Sequence, residues 1–102
     1  MEEVKIDGMI DGALSITLSG DIDLSNAEAF YGAVAEAYKA NPADIVFDCN
    51  ALNFIDSTTL GTFVKILKAV KSNGHTMKLV RLQPKIKKLF LICSLDSIIE
   101  IA

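Results

Sequence analysis

Tryptophan is absent from the 102 residues, histidine occurs once, and proline and cysteine twice each. Each scarcity removes a class of protein. With His75 as the sole histidine, there is little material for a Ser–His nucleophile pair or a His-based metal site. Cys49 and Cys93 lie far apart, among apolar neighbours ("IVFDCN", "LFLICSL"), with no C-x-x-C pair. That pattern predicts two small buried thiols in a reducing compartment, not a disulfide or a metal site. No glycine-rich phosphate loop and no G-x-S-x-G elbow is present. The longest unbroken apolar runs are a few residues, too short for a membrane span. The start, "MEEVKIDG", has neither the basic nor the apolar region of a signal peptide. A soluble, cytoplasmic protein without metal, cofactor or catalytic apparatus is expected.

What is there is a hydrophobic fraction of 51% and a mean hydropathy of +0.38, enough for one small core. The length fits a single domain over residues 1–102. The net charge of −3 argues against nucleic acid, but it is unevenly spread. Residues 1–51 carry ten acids and two bases, a balance of −8, whereas residues 52–102 carry eight bases and three acids, a balance of +5. No aromatic residues interleave with the lysines as base-stacking platforms would.

The first twenty residues alternate polar and apolar side chains on both sides of Asp11-Gly12, a dipeptide suited to a type I′ turn. Two antiparallel strands near 3–10 and 13–20 follow. Ala27, Phe30, Tyr31, Val34 and Tyr38 fall on one face of a helix that Asn41-Pro42 stops. "DIVFDCN" (44–50) is a strand. A second helix buries Leu60, Phe63, Val64, Leu67 and Val70 and ends at Gly74. "TMKLVRL" (76–82) is a strand, and Pro84 opens a third helix with Ile86, Leu89, Phe90 and Cys93 inward. "SIIEIA" is a last short strand. The order β-β-α-β-α-β-α-β predicts an α/β domain whose mixed sheet combines an antiparallel hairpin with parallel strands, helices packed against it.

In such sheets, binding sites gather where strands end and helices begin. The loops "GDIDLSN" (20–26) and "NFIDSTT" (53–59) both occupy that position, so Asp21, Asp23, Ser25, Asp56, Ser57, Thr58 and Thr59 should share one edge. His75 follows the far end of the Ser57 helix and is expected at a surface turn, out of reach as a base. Ser57 has a bland explanation as the helix cap, since a short side-chain oxygen accepts an orphaned amide. Capping needs one oxygen, however, and "DSTT" supplies an acid and three hydroxyls. A serine at a helix N-terminus is also well placed for phosphorylation, because the phosphate adds about −1.5 to −2 charges where the helix dipole favours them. A phospho-acceptor aspartate among the same acids is a third reading.

"LNFIDSTTLGTFVKIL" resembles the signature of the STAS domain, the family of anti-sigma factor antagonists and of the cytoplasmic tails of sulfate transporters. "LSGDIDLSNAEAF" is similar to the family's strand-to-helix stretch, and "PKIKKLFLICSLDSIIEI" to its third helix and closing strand. The resemblance implies an anti-sigma factor antagonist that binds an anti-sigma factor serine kinase, frees a sigma factor, is switched off by phosphorylation of Ser57 and is restored by a serine phosphatase. Asp21, Asp23, Ser25, Asp56, Thr58 and Thr59 would then form the docking surface. Thr59 stands where many antagonists have glycine, which implies a less close approach by the partner's backbone. The chain stops at "SIIEIA" without the helix that many members carry after the last strand, leaving apolar surface for weak self-association. The alternative within the family is a scaffold subunit of a signalling or lipid-transport assembly, docking through the same edge without phosphorylation.

Overall fold

Asp11 and Gly12 both take positive φ, 52° and 81°, as the two central residues of a type I′ turn require. They fold β1 (Val4–Ile10) onto β2 (Ala13–Ile22) in antiparallel register, Val4 opposite Leu18 and Ile10 opposite Ala13. A computed structural model describes residues 1–102. After the hairpin come α1 (Ala27–Ala40), β3 (Ile45–Ile55), α2 (Ser57–Ser72), β4 (Met77–Val80) and α3 (Pro84–Ile92), then a 3₁₀ turn (Leu95–Ser97) and β5 (Glu100–Ile101). This is the expected α/β order.

The five strands form one mixed sheet in chain order, β1-β2-β3-β4-β5, with every pair after the hairpin parallel. Parallel crossovers are right-handed, and here each one advances by a single strand in the same direction. All three helices therefore pack on one face of the sheet. Leu14, Ile16 and Leu18 of β2 point into that layer and are fully buried, while Ser15 and Thr17 between them face the open side. Charges hold the open side together: the Arg81 guanidinium meets both carboxylate oxygens of Asp48 and keeps its pKa below the usual aspartate range.

The core centres on Phe63 of α2. Its ring lies 5.2 Å from Phe30, 5.6 Å from Phe47 and 5.5 Å from Phe90, each edge-to-face. One aromatic thus joins all three helices to β3. At its C-terminus, α2 closes in a Schellman arrangement: the His75 amide reaches the Val70 carbonyl, the Gly74 amide reaches that of Lys71, and Gly74 takes φ 81°.

Several local expectations change. β3 runs on to Ile55 rather than ending at residue 50, because parallel pairing with β2 (Asp21 opposite Phe54, Ile22 opposite Ile55) draws "ALNFI" into the sheet. In α2, Ile66 takes an inward position and Val64 is only half-buried. In α3 only Ile86 and Phe90 reach the core, while Leu89 and Cys93 are exposed. The nine-residue helix turns too narrow a face to the sheet to bury four side chains. Burial pushes the Cys49 thiol up to about 12, so the two cysteines are not alike. His75 lies at the far end of α2 from Ser57, as expected, but is half-buried and pairs through Nδ1 with the Tyr38 hydroxyl.

Two measurements check this packing. Phe63→Ala removes the shared ring and should cost about 3–5 kcal/mol, a large part of the total stability of such a domain, as a lower urea midpoint. Thiol titration of the native protein should count Cys93 alone, with Cys49 reacting only after unfolding.

Candidate functional site

β2 and β3 are parallel neighbours, so the loops leaving their C-terminal ends emerge side by side. The join between them is made by Asp56. It occupies the N-cap of α2 in an extended conformation (φ −116°, ψ −175°), and its Oδ1 accepts the Thr59 amide at 3.0 Å. Its other oxygen, Oδ2, accepts the Leu24 amide at 2.9 Å, from the β2–α1 loop. The Thr59 hydroxyl donates to the Ile22 carbonyl at 2.6 Å, with Asp56 Oδ1 3.0 Å away. The Thr59 amide, then the Leu24 amide and the Thr59 hydroxyl, hold the Asp56 carboxyl below the usual aspartate range, against a smaller desolvation effect.

The β2–α1 loop is tied within itself as well. Asp23 Oδ1 accepts the Ser25 amide at 2.9 Å and the Ser25 hydroxyl at 2.5 Å. Asn26 Oδ1 accepts the Asp23 amide at 2.8 Å, and Asn26 Nδ2 donates to the Asp21 carbonyl at 3.0 Å. Asn26 stands at the N-cap of α1, yet its side chain turns back into the loop and does not cap the helix. Asp21 and Ser25 are exposed and Asp23 is half-buried.

Against this frame the three hydroxyls of "DSTT" separate. Ser57 and Thr58 are the first two residues of α2 and are exposed, whereas Thr59 is wholly buried. Thr59 is therefore a structural residue and not part of a docking surface. The expectation that it holds a partner's backbone away is corrected with it, because its side chain points into the domain. The cap is Asp56, so Ser57 is not needed for capping. Its amide and that of Thr58 are first-turn donors with no carbonyl one turn earlier in the helix.

Two residues at this edge escape a reading of the sequence. Leu24, 74% exposed, is the most exposed large apolar side chain of the chain, and Phe54 is half-exposed beside Asp21 at the end of β3. The only signal for Leu24 is a lone leucine among cap-type residues. Phe54 reads as part of a buried approach until the pairing with β2 sets its direction. Between α1 and α2, a shallow depression lined by Leu24, Glu28, Tyr31, Thr58, Thr62 and Lys65 adjoins Ser57. Lys65 sits over the Tyr31 ring, 4.2 Å from its centroid.

Chemically, the edge presents a hydroxyl at the positive end of a sixteen-residue helix, with acids and two apolar side chains around it. The sole histidine is one helix length away, about 24 Å at the rise of an α-helix. No three His, Cys, Asp or Glu side chains gather to hold a metal ion, and no helix is long and apolar enough to cross a membrane. Fold and edge define a small α/β module that presents two cross-linked strand-to-helix loops as one exposed surface.

Known proteins share this architecture. The STAS domain model matches residues 5–102. The anti-sigma-B factor antagonist of Bacillus subtilis (strain 168) is 30% identical over 89 residues, covering 87% of this chain and 81% of that protein. The structure of TM1081 from Thermotoga maritima superposes with a TM-score of 0.84 at 26% identity, covering 96% of this chain and 82% of that one. The Bacillus cell fate determinant SpoIIAA, in its phosphorylated form, gives a TM-score of 0.75 at 18% identity over 97% of this chain and 90% of its own, a likeness of fold. The chain belongs to the STAS domain family.

The Asp56 junction makes two predictions. Thr59→Val keeps the shape but removes the donor to the Ile22 carbonyl, and should destabilise the domain by about 1–3 kcal/mol in urea. Asp56 has a folded-state pKa below its unfolded value of about 3.9. Its contribution to stability is fully present above that value and is lost as pH falls through the folded-state pKa. Asp56→Asn, which offers one acceptor oxygen in place of two, should flatten that acid-side fall when urea midpoints are compared across pH.

Proposed function

We propose that the chain is a cytoplasmic anti-sigma factor antagonist: unphosphorylated, it binds an anti-sigma factor serine kinase and frees a sigma factor, and phosphorylation of Ser57 ends that binding. The observation that carries this reading is the division of labour at the start of α2. Asp56 does the capping, so Ser57 stands exposed at the first helical position with its hydroxyl free of a structural task. The name of the Bacillus subtilis relative supports the antagonist role, and SpoIIAA, an anti-sigma factor antagonist of the same fold, is known in unphosphorylated and phosphorylated forms. A serine phosphatase would restore the binding form.

Docking would use the exposed rim of Asp21, Ser25 and Thr58 together with Asp23 and Asp56, which hold the loop in shape. Leu24 and Phe54 supply the apolar contacts that interfaces of this kind centre on. A phosphate on Ser57 adds about −1.5 to −2 charges. The helix terminus offsets part of that by about 0.3–1 kcal/mol, so the free domain tolerates it. In a docked interface the same charge is partly desolvated and meets groups fitted to a neutral hydroxyl. A loss of about 2–4 kcal/mol follows, or about 30- to 1000-fold in affinity.

The test is a titration of wild type, Ser57→Ala and Ser57→Asp with the purified partner kinase, alongside phosphosite mapping by mass spectrometry. Wild type with ATP should gain one phosphate at Ser57 and lose affinity. Ser57→Ala should bind and stay bound, and Ser57→Asp should bind more weakly. Equal affinities for all three variants, or phosphate on another residue, would reduce Ser57 to an ordinary first-turn serine.

A further inference from the structure

A helix tolerates glycine poorly, because the residue loses the most backbone freedom on folding and adds no side-chain contact. α2 nevertheless carries one, Gly61, in its second turn. The usual reasons for it are missing. Gly61 has ordinary helical backbone without positive φ, so its conformation accepts any side chain. A Cβ at this position would meet no heavy atom within 4 Å, so close packing inside the domain does not demand glycine either.

Its place on the helix supplies a different reason. At roughly 100° per residue, Gly61 lies about 40° around the axis from Ser57 and about 6 Å further along it. Both are exposed on the crown of α2, away from the buried Phe63, Ile66 and Val70. Helical side chains lean toward the N-terminus and cover the turn before their own Cα. A side chain at position 61 would therefore lie over Ser57. The neighbours on the crown are turned aside: the Thr62 hydroxyl donates to the Thr58 carbonyl at 3.0 Å, and Lys65 sits over the Tyr31 ring of α1. The strip from Gly61 to Ser57 is left bare.

We propose that Gly61 sets access to Ser57: the partner kinase comes down on the crown of α2 across this glycine, which makes it a specificity-determining residue for the phosphorylation. The inference rests on the reading of Ser57 as the phosphorylated residue and adds the steric condition for reaching it. In the transfer, Ser57 Oγ bonds to the γ-phosphorus of ATP as the bond to ADP breaks, and the hydroxyl proton passes to a base of the kinase. The attacking oxygen has to come within about 3–3.5 Å of phosphorus, in line with the leaving group. A nucleotide and the loop that holds it need the turn behind the serine clear of side chains, and Gly61 keeps it clear.

The test sets stability against access. Gly61→Ala and Gly61→Gln are compared with Gly32→Ala, which alters an exposed helical glycine of α1 in equally open space. All three should raise the urea midpoint, since alanine and glutamine are better helix formers. With the kinase and ATP, Gly32→Ala should match wild type at Ser57. Gly61→Ala should lower kcat/KM about tenfold and Gly61→Gln about a hundredfold, as overpacking of a close contact does. A loss in a protein that has become more stable cannot come from unfolding. A second measurement needs no kinase: Ser57→Cys is combined with Cys93→Ser, and the introduced thiol is timed against a disulfide reagent, Cys49 being buried. Adding Gly61→Gln should slow that reaction several-fold, and adding Gly32→Ala should leave it unchanged. Absence of phosphate from wild-type Ser57 would sink the function proposed above, and this inference with it. Phosphorylation of the Gly61 variants at the wild-type rate, or a thiol rate that Gly61→Gln leaves unchanged, would overturn the access role alone.

Discussion

Asp56 accepts the Thr59 amide through one carboxylate oxygen and the Leu24 amide through the other, so one side chain both starts α2 and fastens it to the loop from β2. The Thr59 hydroxyl repeats the connection from the helix side by bonding the Ile22 carbonyl. The bonds to the Leu24 amide and the Ile22 carbonyl run between segments more than thirty residues apart. They turn two strand-to-helix loops into one surface. With the cap provided by the acid, the serine that follows is left exposed at the helix end and is open to chemistry that a structural serine would resist.

The position of that surface depends on the core. Phe63 locks α2 to α1, α3 and β3, and the helix it anchors carries Ser57 at one end and the glycine-closed turn before His75 at the other. Rigid packing behind the edge and cross-linked loops at it are what a recognition surface needs, since ordering a flexible loop on binding would consume affinity. Leu24 illustrates the consequence: its amide is held by Asp56 while its side chain stands in solvent.

A one-directional sheet has a second effect. Because every crossover advances by one strand the same way, chain order becomes spatial order, and the uneven charge of the two halves becomes an electrical polarity across the domain. A sheet that doubled back from its middle would have mixed the two halves and cancelled it. The same winding leaves one sheet face without helices, and the pairing of Arg81 with Asp48 and of Lys78 with Glu100 lies across neighbouring strands there.

Local chemistry made much of this legible. Asp11-Gly12 announces its turn because few dipeptides tolerate two positive φ angles, and Gly74 marks the end of α2 for the same steric reason. The shared edge of the two loops followed from strand–helix alternation, which depends on hydrophobic period alone. The roles within "DSTT" did not follow. Asp, Ser and Thr are all acceptable caps, and only the Leu24 amide and the Ile22 carbonyl, brought in by β2, select Asp56 for the cap and draw Thr59 inside. The same holds for Phe54, Leu89 and Cys93, whose apolar character suggested burial but whose exposure was decided by where β2 and the short α3 leave space. The sequence by itself determined the elements, their order and the end of the sheet where the hydroxyls lie, because these depend on interactions among near neighbours. Which hydroxyl faces solvent was decided only by the tertiary structure, since the hydrogen-bond partners that settle it lie 32 to 37 residues away along the chain.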